Sequence, residues 1–151
     1  MLENILTEKA IRIKAQVTDW QEAVRMGGEL LVNAGFAKPS YIEAMVETVK
    51  QLGPYSVIAP GIAMPHARPE AGVLKPGLSL VTLETPVEFG NKENDPVDIV
   101  VSFCATDNTS HIQMLAELAQ LLGSEEAVTA IRNAKEVSEV TQLLINFQWS
   151  S

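Results

Sequence analysis

The sequence predicts an α/β fold, with a single sheet of mixed strand direction covered by helices. Three observations carry that prediction. Segments with the apolar period of a helix alternate with segments of strand period along the 151 residues. The run VDIVVSFCA, residues 97 to 105, is apolar almost without a break, as a strand buried on both faces would be. The preceding run LSLVTLE is a second strand joined to it by a polar connection, and that hairpin-like middle makes the sheet mixed.

Taken in order, IRIKAQV (11 to 17) alternates apolar and polar residues, the pattern of a half-buried strand. Thr18 is then placed to cap a helix through DWQEAVRMGGELLVNAG. Asp19 and Glu22 lie in its first turn, Trp20, Val24 and Leu31 share a face, and Gly35 ends it. Lys38-Pro39-Ser40 starts a second helix, YIEAMVETVKQL, stopped by Gly53-Pro54. YSVIAPGIAMPHA is apolar but interrupted by prolines, so it reads as short extended pieces around a turn. A polar turn follows at PEAGVLKPG, and TPVEFGNKENDP combines a short strand with a polar loop. From Asn108 the helical period returns, with Ile112, Leu115, Leu118 and Leu122 in one stripe. Two short helices close the chain, at SEEAVTAIRNA and SEVTQLLINF. With no repeat and no linker, residues 1–151 are expected to form one domain.

The net charge of −8 repels a phosphate backbone, which excludes nucleic acid as the expected partner. The lone Cys104 cannot form an internal disulfide, suits a reducing compartment, and lies in the apolar run as a buried thiol. The N-terminus lacks the pattern of a signal peptide, and no apolar stretch approaches the roughly 20 residues that cross a bilayer. The expectation is a cytoplasmic protein. Two histidines and one buried cysteine, without paired-ligand spacing, make no metal site, and no cofactor is expected.

Those two histidines are the chemistry-bearing residues. In GIAMPHARPE, Pro65 and Pro69 bias the residues around them toward extended backbone. Side chains two apart on an extended chain share a face, so His66 and Arg68 point the same way. An imidazole titrates near neutrality, so a large fraction of such rings is nucleophilic at cytosolic pH, and a guanidinium presents planar donors to phosphate oxygens. Such a pair can accept a phosphoryl group. By pattern alone, a surface loop histidine beside an unrelated arginine fits as well. The second histidine, in ATDNTSHIQMLAEL, follows Asn108, Thr109 and Ser110, each a possible N-cap, and falls in the first turn of the striped helix. A helix start offers unpaired N–H groups and favours anions. This one also follows the strongest strand, at the strand end where α/β folds place their sites. A merely solvated helix-start histidine fits the pattern equally.

Together, GIAMPHARPEAGVLKPGLSLVTLETPVEFG and VDIVVSFCATDNTSHIQMLAELAQLL resemble the enzyme IIA component of the bacterial phosphoenolpyruvate-dependent sugar phosphotransferase system. The likeness is to the mannitol/fructose-type superfamily, and within it to the ascorbate-type branch, where PHARPE is the familiar form of the motif. The resemblance implies a mixed sheet of about five strands flanked by helices. It implies a phosphoryl group taken from the phosphocarrier HPr onto His66 and passed to a cysteine of a cognate IIB component, which phosphorylates sugar during transport by the membrane IIC component. His111 matches the assisting histidine of the mannitol type, expected to donate a hydrogen bond to the phosphoryl oxygens, and Ser110 lies beside it as a phosphate-binding candidate. The sequence departs from the family in one respect. Where mannitol-type members carry an arginine in a run like YxxAMxxRE, this chain has Thr48 in YIEAMVETV, so Arg68 is the expected replacement. Ile62, Met64 and Val73 are candidates both for a docking patch and for the core. A regulatory relative acting through its phosphorylation state, or a plain small-molecule binding domain, would share much of this pattern.

Overall fold

The computed structural model describes residues 1–107 and 111–150. Its helices are α1 (Leu2–Ile5), α2 (Trp20–Asn33), α3 (Ser40–Leu52), α4 (Ile112–Leu122), α5 (Glu125–Asn133) and α6 (Val137–Asn146). The strands are β1 (Ile11–Ala15), β2 (Val57–Ala59), β3 (Ile62–Ala63), β4 (Gly77–Val87) and β5 (Val97–Cys104). They form one five-stranded sheet in the order β1-β4-β5-β3-β2. β4 and β5 are antiparallel, β1 runs parallel to β4, β3 parallel to β5, and β2 antiparallel to β3. The sheet is therefore flanked by helices, as the alternation of periods predicts, and mixed, as the hairpin-like middle predicts.

The centre of the sheet is dry on both sides. Successive residues of a strand point to opposite faces, yet Ile99, Val100 and Val101 are all at most 1% exposed. The near-continuous apolarity of the 97–105 run has that cause. Helix α2 packs across β4 and β5, and α3 packs on α2. The paired glycines of RMGGELL make this approach possible. A Cβ on Gly27 would run into Ser102 Oγ, and one on Gly28 would lie 3.2 Å from Ile42. Ser79 Oγ donates to the Gly27 carbonyl at 2.8 Å, while Ser102, its register partner on β5, is buried without a hydrogen-bond partner among the described residues.

Several local expectations shift by a residue or a face. The cap of α2 is Asp19, whose carboxylate accepts the Glu22 N–H at 2.9 Å. Thr18 instead donates its hydroxyl to the Glu22 side chain. The first strand stops at Ala15, and the positive φ of Lys14 breaks its alternation where the register against β4 shifts between Arg12 and Ala15. The LETPV segment continues β4 as far as Val87 across a register shift, and the following turn closes on Asp95, whose carboxylate accepts the N–H groups of Phe89, Gly90 and Asn91. In α4 the buried stripe is Met114, Leu118 and Leu121, and Ile112 is 60% exposed. Neighbouring α5 and α1 decide which face is covered, and a single helix's periodicity does not contain them. Cys104 is fully buried, and burial pushes its thiol up to about 12. No described helix is long and apolar enough to cross a membrane.

Candidate functional site

The site is built where the short strand β3 runs out beside the end of β5. β3 pairs with β5 through Ile62–Ile99 and Ala63–Val100. The chain then keeps the same register without being a full strand. Pro65 has no N–H to give to the ladder, but its carbonyl accepts the Phe103 N–H at 3.1 Å. His66 is thus set opposite Phe103, and their rings meet at a centroid distance of 4.6 Å. Phe103 also lies 6.3 Å from the His111 ring, so one phenyl group neighbours both imidazoles.

The His66 ring is half-buried and its hydrogen bonding is fixed from behind. Nδ1 lies 3.1 Å from the Met64 carbonyl. A carbonyl can only accept, so Nδ1 carries the proton and the neutral ring presents its lone pair on Nε2. His111 is held in the same way, with Nδ1 2.8 Å from the Asp107 carbonyl. This alters one expectation. A neutral His111 has no N–H left to aim at a phosphoryl oxygen, and its Nε2 donates only when the ring is an imidazolium. His111 also occupies the cap position before Ile112 rather than the first turn.

A hollow of about 420 Å³ brings the predicted residues together: His66, Arg68 and His111 line it with Thr48, Leu52 and Phe103. Arg68 is exposed, and its guanidinium has no ion-pair partner among the described residues. Thr48 gives its hydroxyl to the Ala44 carbonyl within α3, so it adds no charge where Arg68 reaches the wall. Ser110 lies outside the described residues. Ile62 is 3% exposed and belongs to the core, and Met64 and Val73 are partly buried against it. Leu52, in the wall of the hollow, is an exposed apolar side chain, and so is Ile112, the residue after His111. A larger hollow, about 620 Å³, lies against Pro60, Ile62, Leu122 and Arg132 and is lined by none of His66, Arg68 and His111. Its arginine is already engaged by Asp98 at 2.7 Å.

Two contributors were not legible as site residues. Phe103 read as one more apolar position in a strand. Tyr41 read as the first turn of a helix, yet it is fully buried with its hydroxyl between the motif and β5: it accepts the Ala67 N–H at 2.9 Å and lies 2.9 Å from the Phe103 carbonyl and 3.1 Å from that of Ala67. Burial raises its phenol well above the ordinary tyrosine range.

Comparison with known proteins agrees with this architecture. Residues 4–147 match the family model for the phosphoenolpyruvate-dependent sugar phosphotransferase system, EIIA 2, and the chain belongs to that family. Among its relatives is the ascorbate-specific PTS system EIIA component of Escherichia coli strain K12, 43% identical over 143 residues, covering 94% of this chain and 93% of that one. The solution structure of the mannitol-specific cryptic phosphotransferase enzyme IIA CmtB from Escherichia coli superposes with a TM-score of 0.84 at 35% identity, covering 95% of this chain and 97% of the other. Enzyme IIA mannitol from the same organism, solved in complex with phosphorylated enzyme IIB mannitol, gives a TM-score of 0.80 at 31% identity, covering 94% and 98%. The protein is thus an EIIA component of the sugar phosphotransferase system.

Proposed function

We propose that this chain, acting as one EIIA unit in the cytoplasm, accepts a phosphoryl group from HPr on Nε2 of His66. It then passes that group to a cysteine of a cognate IIB component, for uptake of ascorbate or a pentitol-like sugar through a membrane IIC component. The observation that carries this reading is the fixed hydrogen bond from His66 Nδ1 to the Met64 carbonyl, which leaves Nε2 as the lone-pair atom at an open hollow. The Nε2 lone pair forms a new N–P bond as the N–P bond of the donor's phosphohistidine breaks and its electron pair returns to that ring. In the second transfer the IIB thiolate takes the phosphorus and the pair returns to Nε2. Transfer of this kind needs in-line positioning and charge stabilisation more than covalent help. Arg68 supplies bidentate donors to the equatorial oxygens, and His111, with Nδ1 against the Asp107 carbonyl, is the second side chain of the hollow that assists there. Leu52, exposed in the wall of the hollow, and Ile112, exposed next to His111 in the chain, offer apolar surface against which either partner can seat.

The test is phosphorylation by phosphoenolpyruvate, enzyme I and HPr, with mass spectrometry locating the modified residue. One histidine-linked phosphate on His66, absent in His66→Gln, slowed in His111→Gln and discharged by the cognate IIB protein, is the expected result. Phosphate on any other side chain overturns the assignment, and phosphate that IIB does not remove favours a regulatory role.

A further inference from the structure

We propose that the Tyr41 hydroxyl is a positioning group for His66, spliced into the β-ladder at the bond the motif would otherwise make with β5. The proposal rests on His66 being the phosphoryl acceptor. In the register set by Ile62–Ile99 and Ala63–Val100, His66 is the residue opposite Phe103. A parallel pair in that position makes two bonds: the Phe103 N–H to the carbonyl of residue 65, and the N–H of residue 67 to the Phe103 carbonyl. The first is present at 3.1 Å. The second is replaced by a relay. Ala67 N–H gives to the Tyr41 oxygen at 2.9 Å, and the one Tyr41 proton has the Phe103 carbonyl at 2.9 Å as its nearer acceptor, the Ala67 carbonyl lying at 3.1 Å.

One direct bond of about 2.9 Å would draw the two backbones together, and the relay puts a hydroxyl between them at Ala67. The residue mounted on the displaced segment is His66. Its ring is turned back so that Nδ1 reaches Met64, and it lies 4.6 Å from the Phe103 ring, tilted by 34°. Pro65 contributes from the other side, since a residue without an N–H cannot close the ladder ahead of the gap. Tyr41 is fully buried on α3, which is packed on α2, so the hydroxyl is held by the helical layer and the motif is displaced to suit it. The tyrosine touches neither imidazole through any hydrogen bond. Its effect on the reacting nitrogen passes through the Ala67 peptide.

The variant is Tyr41→Phe, which keeps the ring and removes the splice. Long-range proton–nitrogen NMR spectra of the unphosphorylated protein read the tautomer of each histidine directly. In the natural chain His66 shows a protonated Nδ1 and a bare Nε2. In Tyr41→Phe the ladder closes or loosens, the Met64 bond is lost, and the Nε2–H tautomer appears. Phosphoryl acceptance at saturating HPr falls on the order of 10–100-fold, with little change in KM, as for a nucleophile held out of line. A folded Tyr41→Phe protein with the His66 tautomer of the natural chain overturns the proposal whatever its rate. Should that variant fail to fold, hydrogen exchange of the Ala67 amide in the natural chain decides: strong protection supports the splice, and exchange at the rate of a free amide overturns it. Neither spectroscopic measurement needs a phosphate donor. A natural chain that takes no phosphate would therefore defeat the phosphocarrier reading and leave this one to be judged separately.

Discussion

The contact between α2 and the sheet can be tested with a two-site cycle, Gly27→Ala and Ser102→Ala. Alanine is favoured over glycine in a helix interior by up to about 1 kcal/mol, so α2 by itself would gain from the first change. The added Cβ meets Ser102 Oγ, however, and overpacking a close contact of this kind costs about 1–3 kcal/mol. The single Gly27→Ala variant is therefore expected to lose about 1 kcal/mol, within a range of about 0–2 kcal/mol. Ser102→Ala removes a buried hydroxyl that has no partner among the described residues, and should be neutral or stabilising by about 1 kcal/mol. In the double variant the overlapping oxygen is gone. The nearest atoms to the new methyl become Ser102 Cβ at 3.3 Å and Ser79 Oγ at 3.6 Å, which a shift of a few tenths of an ångström accommodates. The helix gain then survives, and the double variant should be at least as stable as the natural chain. Urea unfolding at constant m measures all four proteins. The predicted coupling is about 2 kcal/mol. Additivity within about 0.5 kcal/mol would show that the glycine answers to something other than Ser102.

Three further predictions concern the site and its supports. Arg68→Ala should slow phosphoryl acceptance by roughly 10–100-fold, the worth of a hydrogen bond to a charged group, with Arg68→Lys intermediate because the planar fork is lost; an unchanged rate would remove Arg68 as the replacement for the arginine absent at Thr48. Burial holds the Cys104 thiol up at about 12, whereas an unfolded thiol titrates near about 8.5. The folded-state value is raised, so this contribution is complete below about 8.5 and is lost as pH climbs toward the folded value. Cys104→Ala should flatten that part of the alkaline fall in urea midpoints, and an unchanged slope would mean that the thiol is not the titrating group. Asp98→Ala, which removes the partner of Arg132, should lower stability by about 1–2 kcal/mol in the same unfolding assay; a loss below about 0.5 kcal/mol would mark the pair as an ordinary surface one.

The elements were legible because their periods are strong. α2, α3, β5, α5 and α6 fall where the apolar spacing and the Gly, Pro and Ser punctuation put them. The constraint from Pro65 and Pro69 was also informative, since His66 and Arg68 do line one hollow. Two kinds of information were missing. One is the orientation of an element relative to neighbours distant in sequence, which turned the stripe of α4 toward Met114 and left Ile112 exposed. The other is register. That His66 falls opposite Phe103, and that a tyrosine twenty-odd residues upstream inserts its oxygen there, depends on how β3 slides along β5. No local pattern records that offset. The glycine pair was read correctly as helical, but its reason lies in Ser102 and Ile42, one of them 75 residues away in the chain.

The ion pair on Arg132 has a consequence for how this protein can be recombined. Its guanidinium donates to both Asp98 oxygens, and through its outer nitrogen to the Pro60 carbonyl at 2.9 Å, where Gly61 turns with φ +75° to admit it. The segment that carries His66 therefore begins at a turn clasped by a helix from the last quarter of the chain. Exchanging residues 57–68 alone with those of a sugar-specific relative would graft a turn onto a foreign clasp. Hybrids that carry Asp98 and α5 along with the motif are the ones expected to retain their shape.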